Sequence, residues 1–114
     1  MPNKAISLVS AFLIGTTVAL AQVDEARQAI QREEYVRAVN ILSEELATRP
    51  SPDAYLYLGI AYRHIKEYAK AEDVLKEGSK RYENDARFHT ELANLFLENN
   101  DFDAAKNGFR MALS

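Results

Sequence analysis

The chain has 114 residues, 47% apolar and 27% charged, with a formal net charge of −3, which suits one small, packed domain with a solvated surface. That charge argues against nucleic acid or anionic lipid as the principal ligand, since both require a basic surface. With no cysteine and only two histidines, disulfides, thiolate chemistry and Cys-ligated metal sites are excluded, and an imidazole site has little to draw on.

Residues 1–21 read as a segment apart from the rest. Lys4 is the sole charged side chain before Asp24, Ala5 to Leu20 is apolar but for Ser, Thr and Gly, and Ala19-Leu20-Ala21 places small residues where signal peptidase needs them. The segment is expected to be a signal peptide cut after Ala21. The alternative is an uncleaved anchor, for which a run of sixteen residues is short against the ~20 that a bilayer core needs. With no cysteine near the exit, a lipoprotein signal is excluded. Export without staples leaves residues 22–114 to be held by packing alone.

From Val23 onward the spacing predicts six helices, at roughly 23–33, 35–48, 52–65, 68–81, 85–98 and 102–113, with no strands and no second domain. Pro50 ends the second, because it biases Arg49 away from the helical region. Ser51 is the expected N-cap of the third, with Pro52 at its first position and Asp53 facing the helix dipole. Asn84-Asp85 is expected to open the fifth helix in the same way, and Asp101 to cap the sixth.

The helices repeat. Shifted by 34 residues, Tyr55 falls on His89, Leu58 on Leu92, Gly59 on Ala93, Tyr62 on Phe96, Tyr68 on Phe102, Ala71 on Ala105, Leu75 on Phe109 and Gly78 on Ala112. Shifted by 33, Tyr35 falls on Tyr68, Ala38 on Ala71 and Leu42 on Leu75. Small residues at Gly59, Ala71 and Gly78 allow helix axes to approach, and the large residues between them fill the remaining holes. Gly59, at about 1 kcal/mol of lost helix propensity against Ala, is expected to face the fourth helix near Ala71 and Leu75. On this reading Gly59→Leu overpacks, whereas Gly59→Ala is mild or favourable.

The pattern Tyr55-x2-Leu58-Gly59-x2-Tyr62, followed by Ala71-x3-Leu75-x2-Gly78, resembles the tetratricopeptide repeat family. In the first unit Glu25-Ala26 stands in place of Leu-Gly and Ala29 in place of the Tyr. The resemblance implies an all-α, right-handed superhelix of antiparallel helix pairs, with about three units at 22–51, 52–85 and 86–114. It further implies a concave groove that receives a protein or peptide partner. The groove positions it indicates are Arg27, Leu56, Ile60, Arg63, His64, Arg87, Thr90, Asn94 and Leu97. Leu56 and Ile60 are expected to offer apolar area outside the packing stripe. The Lys/Asn clamp with which one subgroup of the family grips a C-terminal carboxylate is missing: its positions hold Val23, Arg27, Tyr57, Arg87 and Glu91.

Chemistry is sparse. His89 takes the repeat position of Tyr55 and is expected to pack, and neither His64 nor His89 has a ligand partner at i+4. The acidic pairs Glu33-Glu34, Glu44-Glu45 and Glu72-Asp73 point about 100° apart on their helices and have basic neighbours, so a solvated, salt-bridged face is expected. Asp101-Phe102-Asp103 lacks the glycine and distal Glu of a calcium loop, and no phosphate loop or nucleophile elbow is present. The expectation is therefore a non-catalytic binding module or scaffold without cofactor or metal. It is exported to a bacterial periplasm, or held at the inner membrane if the leader is retained, with no membrane contact once the leader is cleaved. The competing expectation is a structural or oligomerising unit, or an accessory subunit of an envelope complex. It rests on apolar surface left open at the C-terminal helix pair by Phe109, Met111, Ala112 and Leu113.

Overall fold

A computed structural model describes residues 21–114, so the expected leader lies outside the described residues except for Ala21. Residues 21–31 are helical (α1) and are followed by α2 (Tyr35–Thr48), α3 (Pro52–His64), α4 (Tyr68–Arg81), α5 (Arg87–Glu98) and α6 (Phe102–Leu113). No strand occurs among the described residues. Each helix from α2 to α6 packs on the next, and α3 also touches α5 directly. None of the described helices is long and apolar enough to cross a membrane.

The helix starts follow their caps. Ser51 accepts a hydrogen bond from the Ala54 amide at 3.1 Å with Pro52 behind it, and Asp101 accepts one from Ala104 at 3.2 Å. Helix α5 begins two residues later than the sequence suggests. Asp85 spends its carboxylate on the Arg87 amide at 3.1 Å, and its own N–H donates to the Tyr82 carbonyl at 3.0 Å. This turn holds residues 83–86 outside the helix.

The repeat is written most plainly in the turns within the pairs. Glu33, Lys66 and Asn100 adopt φ of 62°, 63° and 61°, at the spacing of the sequence repeat. Behind each, the next residue donates back across the turn: Glu34 to Ala29, Glu67 to Tyr62 and Asp101 to Phe96, at 2.8, 2.9 and 2.7 Å. This is the Schellman closure, which satisfies helix-end carbonyls and ordinarily employs glycine at the left-handed position. Glutamate and lysine are strained there, whereas asparagine tolerates the conformation. Lys66→Gly is therefore expected to raise the unfolding free energy by about 0.5–1 kcal/mol. Asn100→Gly should gain less, and urea titrations of the two variants will show the ordering.

Two cores result. Ala26, Ala29, Ala38, Leu42, Leu58 and Ala61 form the first, joining α1, α2 and α3. Leu56, Ala71, Leu75, Phe88, Leu92 and Leu95 form the second, joining α3, α4 and α5. Leu46, Tyr62 and Val74 border both, so the cores are continuous. Gly59 faces Leu75, as expected, and Gly78 faces the ring of Phe88.

Two expectations need correction here. Phe88, not His89, is the fully buried aromatic of α5; its ring lies over Gly78, and His89 is only half-buried. Glu45 is not solvated but 2% exposed, because it continues the stripe Ala38-Leu42 at the helical spacing that Ala71-Leu75-Gly78 shows one repeat later. The other acidic pairs behave as surface groups. Glu34 pairs with Arg37 at 3.1 Å and Glu72 with Lys76 at 2.8 Å, both largely exposed.

Candidate partner-binding groove

The odd-numbered helices α1, α3 and α5 present one shared face. Ion pairs that join α3 to α5 define it. Asp53, in the first turn of α3, accepts from Arg87, at the start of α5, at 2.9 Å. At the other end of α3, Arg63 donates to Glu91 at 3.3 Å and to Glu98. The Arg63 side chain is only 13% exposed, and its Nε is sealed from solvent without a partner. Arg63 is thus a strut between two helices that neighbour one another without being consecutive in the chain.

Between α1 and α3 the face opens into a cleft of about 390 Å³ lined by Val23, Asp24, Arg27, Asp53 and Tyr57, together with the cap residues Ser51 and Pro52. Arg27 pairs with Asp24 on its own helix. A wider depression of about 810 Å³ lies over the α4–α5 turn, beside Tyr82 and Arg87.

Arg87 is the most strongly engaged charge on this face. Its guanidinium donates to both oxygens of Asp85, from Nε at 2.9 Å and from a terminal nitrogen at 2.7 Å, besides reaching Asp53. These side-chain hydrogen bonds hold the Asp85 carboxyl below its ordinary value of 3.8, and they push the Arg87 guanidinium upward. A carboxyl depressed on folding stabilises the fold above its unfolded pKa, and that contribution disappears as pH falls through the lowered value. Asp85→Asn is therefore expected to lower the urea midpoint at neutral pH. The gap between parent and variant should close as the pH is taken below 3.8.

The structure redistributes the residues expected in the groove. Arg27, Arg63 and Arg87 lie on this face, each already paired with carboxylate. Leu56 does not contribute surface: it is 4% exposed and belongs to the second core. Ile60 is half-buried against the same core. His64 is exposed, with its ring stacked on Tyr35 of α2 at 4.4 Å and 5° between planes. Thr90 is exposed and donates its hydroxyl to Ala86 at 3.4 Å, Asn94 is half-buried, and Leu97 remains 41% exposed.

Asp53 and Glu98 were not foreseen as groove residues, and Tyr57 and Glu91 were noted only as occupants of the clamp positions; for Asp53 the period contains a signal. Asp53 and Arg87 stand 34 residues apart with opposite charge, and residues in the same phase of successive units lie side by side. Among the described residues, no three His, Asp or Glu side chains are grouped to hold a metal ion.

Comparison with known proteins supports this architecture. Residues 52–95 match the tetratricopeptide repeat family model. No curated protein matches the chain. Among solved structures, the type III secretion translocator chaperone SycD of Yersinia enterocolitica, in an alternative dimer, superposes with a TM-score of 0.79 at 18% identity, over 84% of this chain and 74% of that one. PcrH from Pseudomonas aeruginosa gives 0.79 at 21% identity, with the same two coverages. PcrH in complex with the chaperone binding region of PopB also gives 0.79 at 21%, over 84% of this chain and 78% of that one. Residues 52–95, from the start of α3 into α5, thus match a tetratricopeptide repeat, in a chain that shares the all-α fold of these structures.

Proposed function

We propose that this chain is a non-catalytic interaction module that receives a segment of another protein on the face shared by α1, α3 and α5. The observation that carries the reading is the continuity of that face. Struts from Asp53 to Arg87 and from Arg63 to Glu91 and Glu98 fix α3 against α5, while the cleft beside Tyr57 stays open. A face that is rigid before binding loses less entropy on association, which favours a groove as a receptor. The fold shared with PcrH, whose structure includes a bound region of PopB, is consistent with it.

Photo-crosslinking tests the reading. A benzoylphenylalanine placed at Tyr57 or Asn94 should trap a polypeptide in the source cell, and one at Asp73 on α4 or Lys106 on α6 should not. Equal trapping at all four positions would defeat the groove.

Export to a periplasm belongs to the same proposal, on the strength of the Lys4 and Ala5–Leu20 pattern and the Ala19-Leu20-Ala21 exit. Intact mass of the exported protein should correspond to a chain beginning at Gln22. A species that retains residues 1–21 would make this a membrane-anchored module.

A second reading, self-association through the last helix pair, has its own observation. Phe102, Met111 and Leu113 of α6 are 64%, 56% and 89% exposed. The counterparts of Phe102 at the start of the earlier even-numbered helices are covered: Tyr35 stacks on His64 and Tyr68 packs on the second core. Phe109, by contrast, is half-buried. Sedimentation of the chain at micromolar concentration beside Phe102→Glu separates the two readings, since only self-association is lost in the variant.

A further inference from the structure

The charge on the groove face is one-sided. Every arginine on the face has its guanidinium committed to carboxylate of this chain: Arg27 to Asp24, Arg63 to Glu91 and Glu98, Arg87 to Asp53 and Asp85. An incoming carboxylate would meet the carboxylate already beside each guanidinium and be repelled by it. The carboxylates are only partly used. Asp53 accepts through Oδ1, Glu91 through Oε2 and Glu98 through Oε1, and the second oxygen of each accepts nothing from the described residues. A carboxylate oxygen can accept and cannot donate. The face therefore carries five carboxylates against three guanidiniums, a net negative charge that favours an incoming cation. Between these charges lies apolar surface from Val23 and Tyr57 at the cleft and from Leu97, which is 41% exposed.

We infer that the groove selects a polypeptide segment with an apolar centre flanked by lysine or arginine, and discriminates against acidic segments and free C-terminal carboxylates. The inference rests on the groove reading above and adds the chemistry of the occupant. Apolar side chains of such a segment cover Tyr57 and Leu97, while its cations reach the unused oxygens of Asp53, Glu91 and Glu98. Like charges placed against these carboxylates are repelled, so the discrimination comes as much from exclusion as from attraction. Because Asp53 and Glu98 are substantially exposed, at 51% and 40%, each contact is screened by salt.

Selection of random short peptides on the immobilised chain tests this, with Tyr57→Ala and Asn94→Trp used to identify groove binders as the peptides whose retention falls on either variant. Groove binders are expected to favour basic over acidic flanks by about tenfold at low salt, with the bias shrinking as the screening length falls from ~10 Å at 0.1 M towards ~3 Å at 1 M. The bias should vanish on Asp53→Asn/Glu98→Gln, which releases Arg63 and Arg87 from one partner each. Groove binders with no charge bias, or with an acidic one, would overturn the inference and leave the groove standing. If no peptide loses retention on either groove variant, the groove reading fails and the inference falls with it.

Discussion

Phe88→Ala is expected to lower the unfolding free energy by about 3–5 kcal/mol, the usual cost of deleting a fully buried phenylalanine ring. The ring is inaccessible to solvent and lies over Gly78 of α4, where a methyl group would approach it within 2.3 Å. It also stacks beside Tyr82, with centroids 6.2 Å apart and planes inclined by 14°, and Tyr82 in turn meets Tyr55 of α3 at 6.1 Å. Phe88 is consequently the largest fully buried side chain among the contacts that join the third helix pair to the second. Its loss should be felt beyond its own volume, with amides of α5 and α6 losing hydrogen-exchange protection before those of α2 and α3. Phe102→Ala is the control. At 64% exposure it should change stability by no more than about 0.5 kcal/mol. A Phe88→Ala variant that unfolds at the urea midpoint of Phe102→Ala would mean that the α4–α5 junction is held by something else.

Why the sequence concealed Phe88 is instructive. The 34-residue shift aligns Leu92, Ala93 and Phe96 with Leu58, Gly59 and Tyr62, and so assigns His89 to the place of Tyr55. Helix α5 starts late, after the Asp85 turn, and its first turn is pinned by the Asp85 and Arg87 bonds. The buried position itself repeats, since Phe88 is in phase with the fully buried Ala54, and only the size of the side chain differs. Boundaries elsewhere were legible because they rest on local chemistry, such as Ser51 with Pro52 and Asp101 with Ala104. The left-handed turns at Glu33 and Lys66 left no glycine to read; their conformation is imposed by the helices on either side.

The groove was legible in outline only. Family position pointed to the face that α1, α3 and α5 share, but Leu56 shows how position can mislead. α3 touches α5 directly, so a residue on that side of α3 is covered by its neighbour instead of offered to a ligand. The charges on the face were visible one at a time in the sequence, and their pairing across helices was not. Arg63 to Glu91 and Glu98 spans 28 and 35 residues, and neither spacing is the repeat itself. Only Asp53 with Arg87, in phase at 34, could have been paired by reading one unit against the next.

Gly59→Ala is expected to destabilise the fold, contrary to what helix propensity alone suggests. Replacing a mid-helix glycine by alanine ordinarily gains about 1 kcal/mol. Here a methyl group at residue 59 would lie 2.4 Å from both Cγ and Cδ2 of Leu75, well inside van der Waals contact. Leu75 is fully buried, and Cγ is the branch point of its side chain, so relief requires the whole isobutyl group to move within a filled core. Overpacking of this kind costs about 1–3 kcal/mol and occasionally more, which outweighs the propensity gain. A net loss of about 1 kcal/mol is expected for Gly59→Ala and about 3 kcal/mol for Gly59→Leu. The same contact predicts the sign of a double-mutant cycle. Leu75→Ala alone leaves a cavity and should cost about 2–5 kcal/mol. In that background the Gly59→Ala methyl enters space the leucine has vacated, so it should become neutral or stabilising, and the two changes together should cost less than their sum. Urea unfolding of the four proteins measures the coupling directly. Strict additivity would show that residue 59 does not press on Leu75, and the close approach of α3 to α4 would then need another cause.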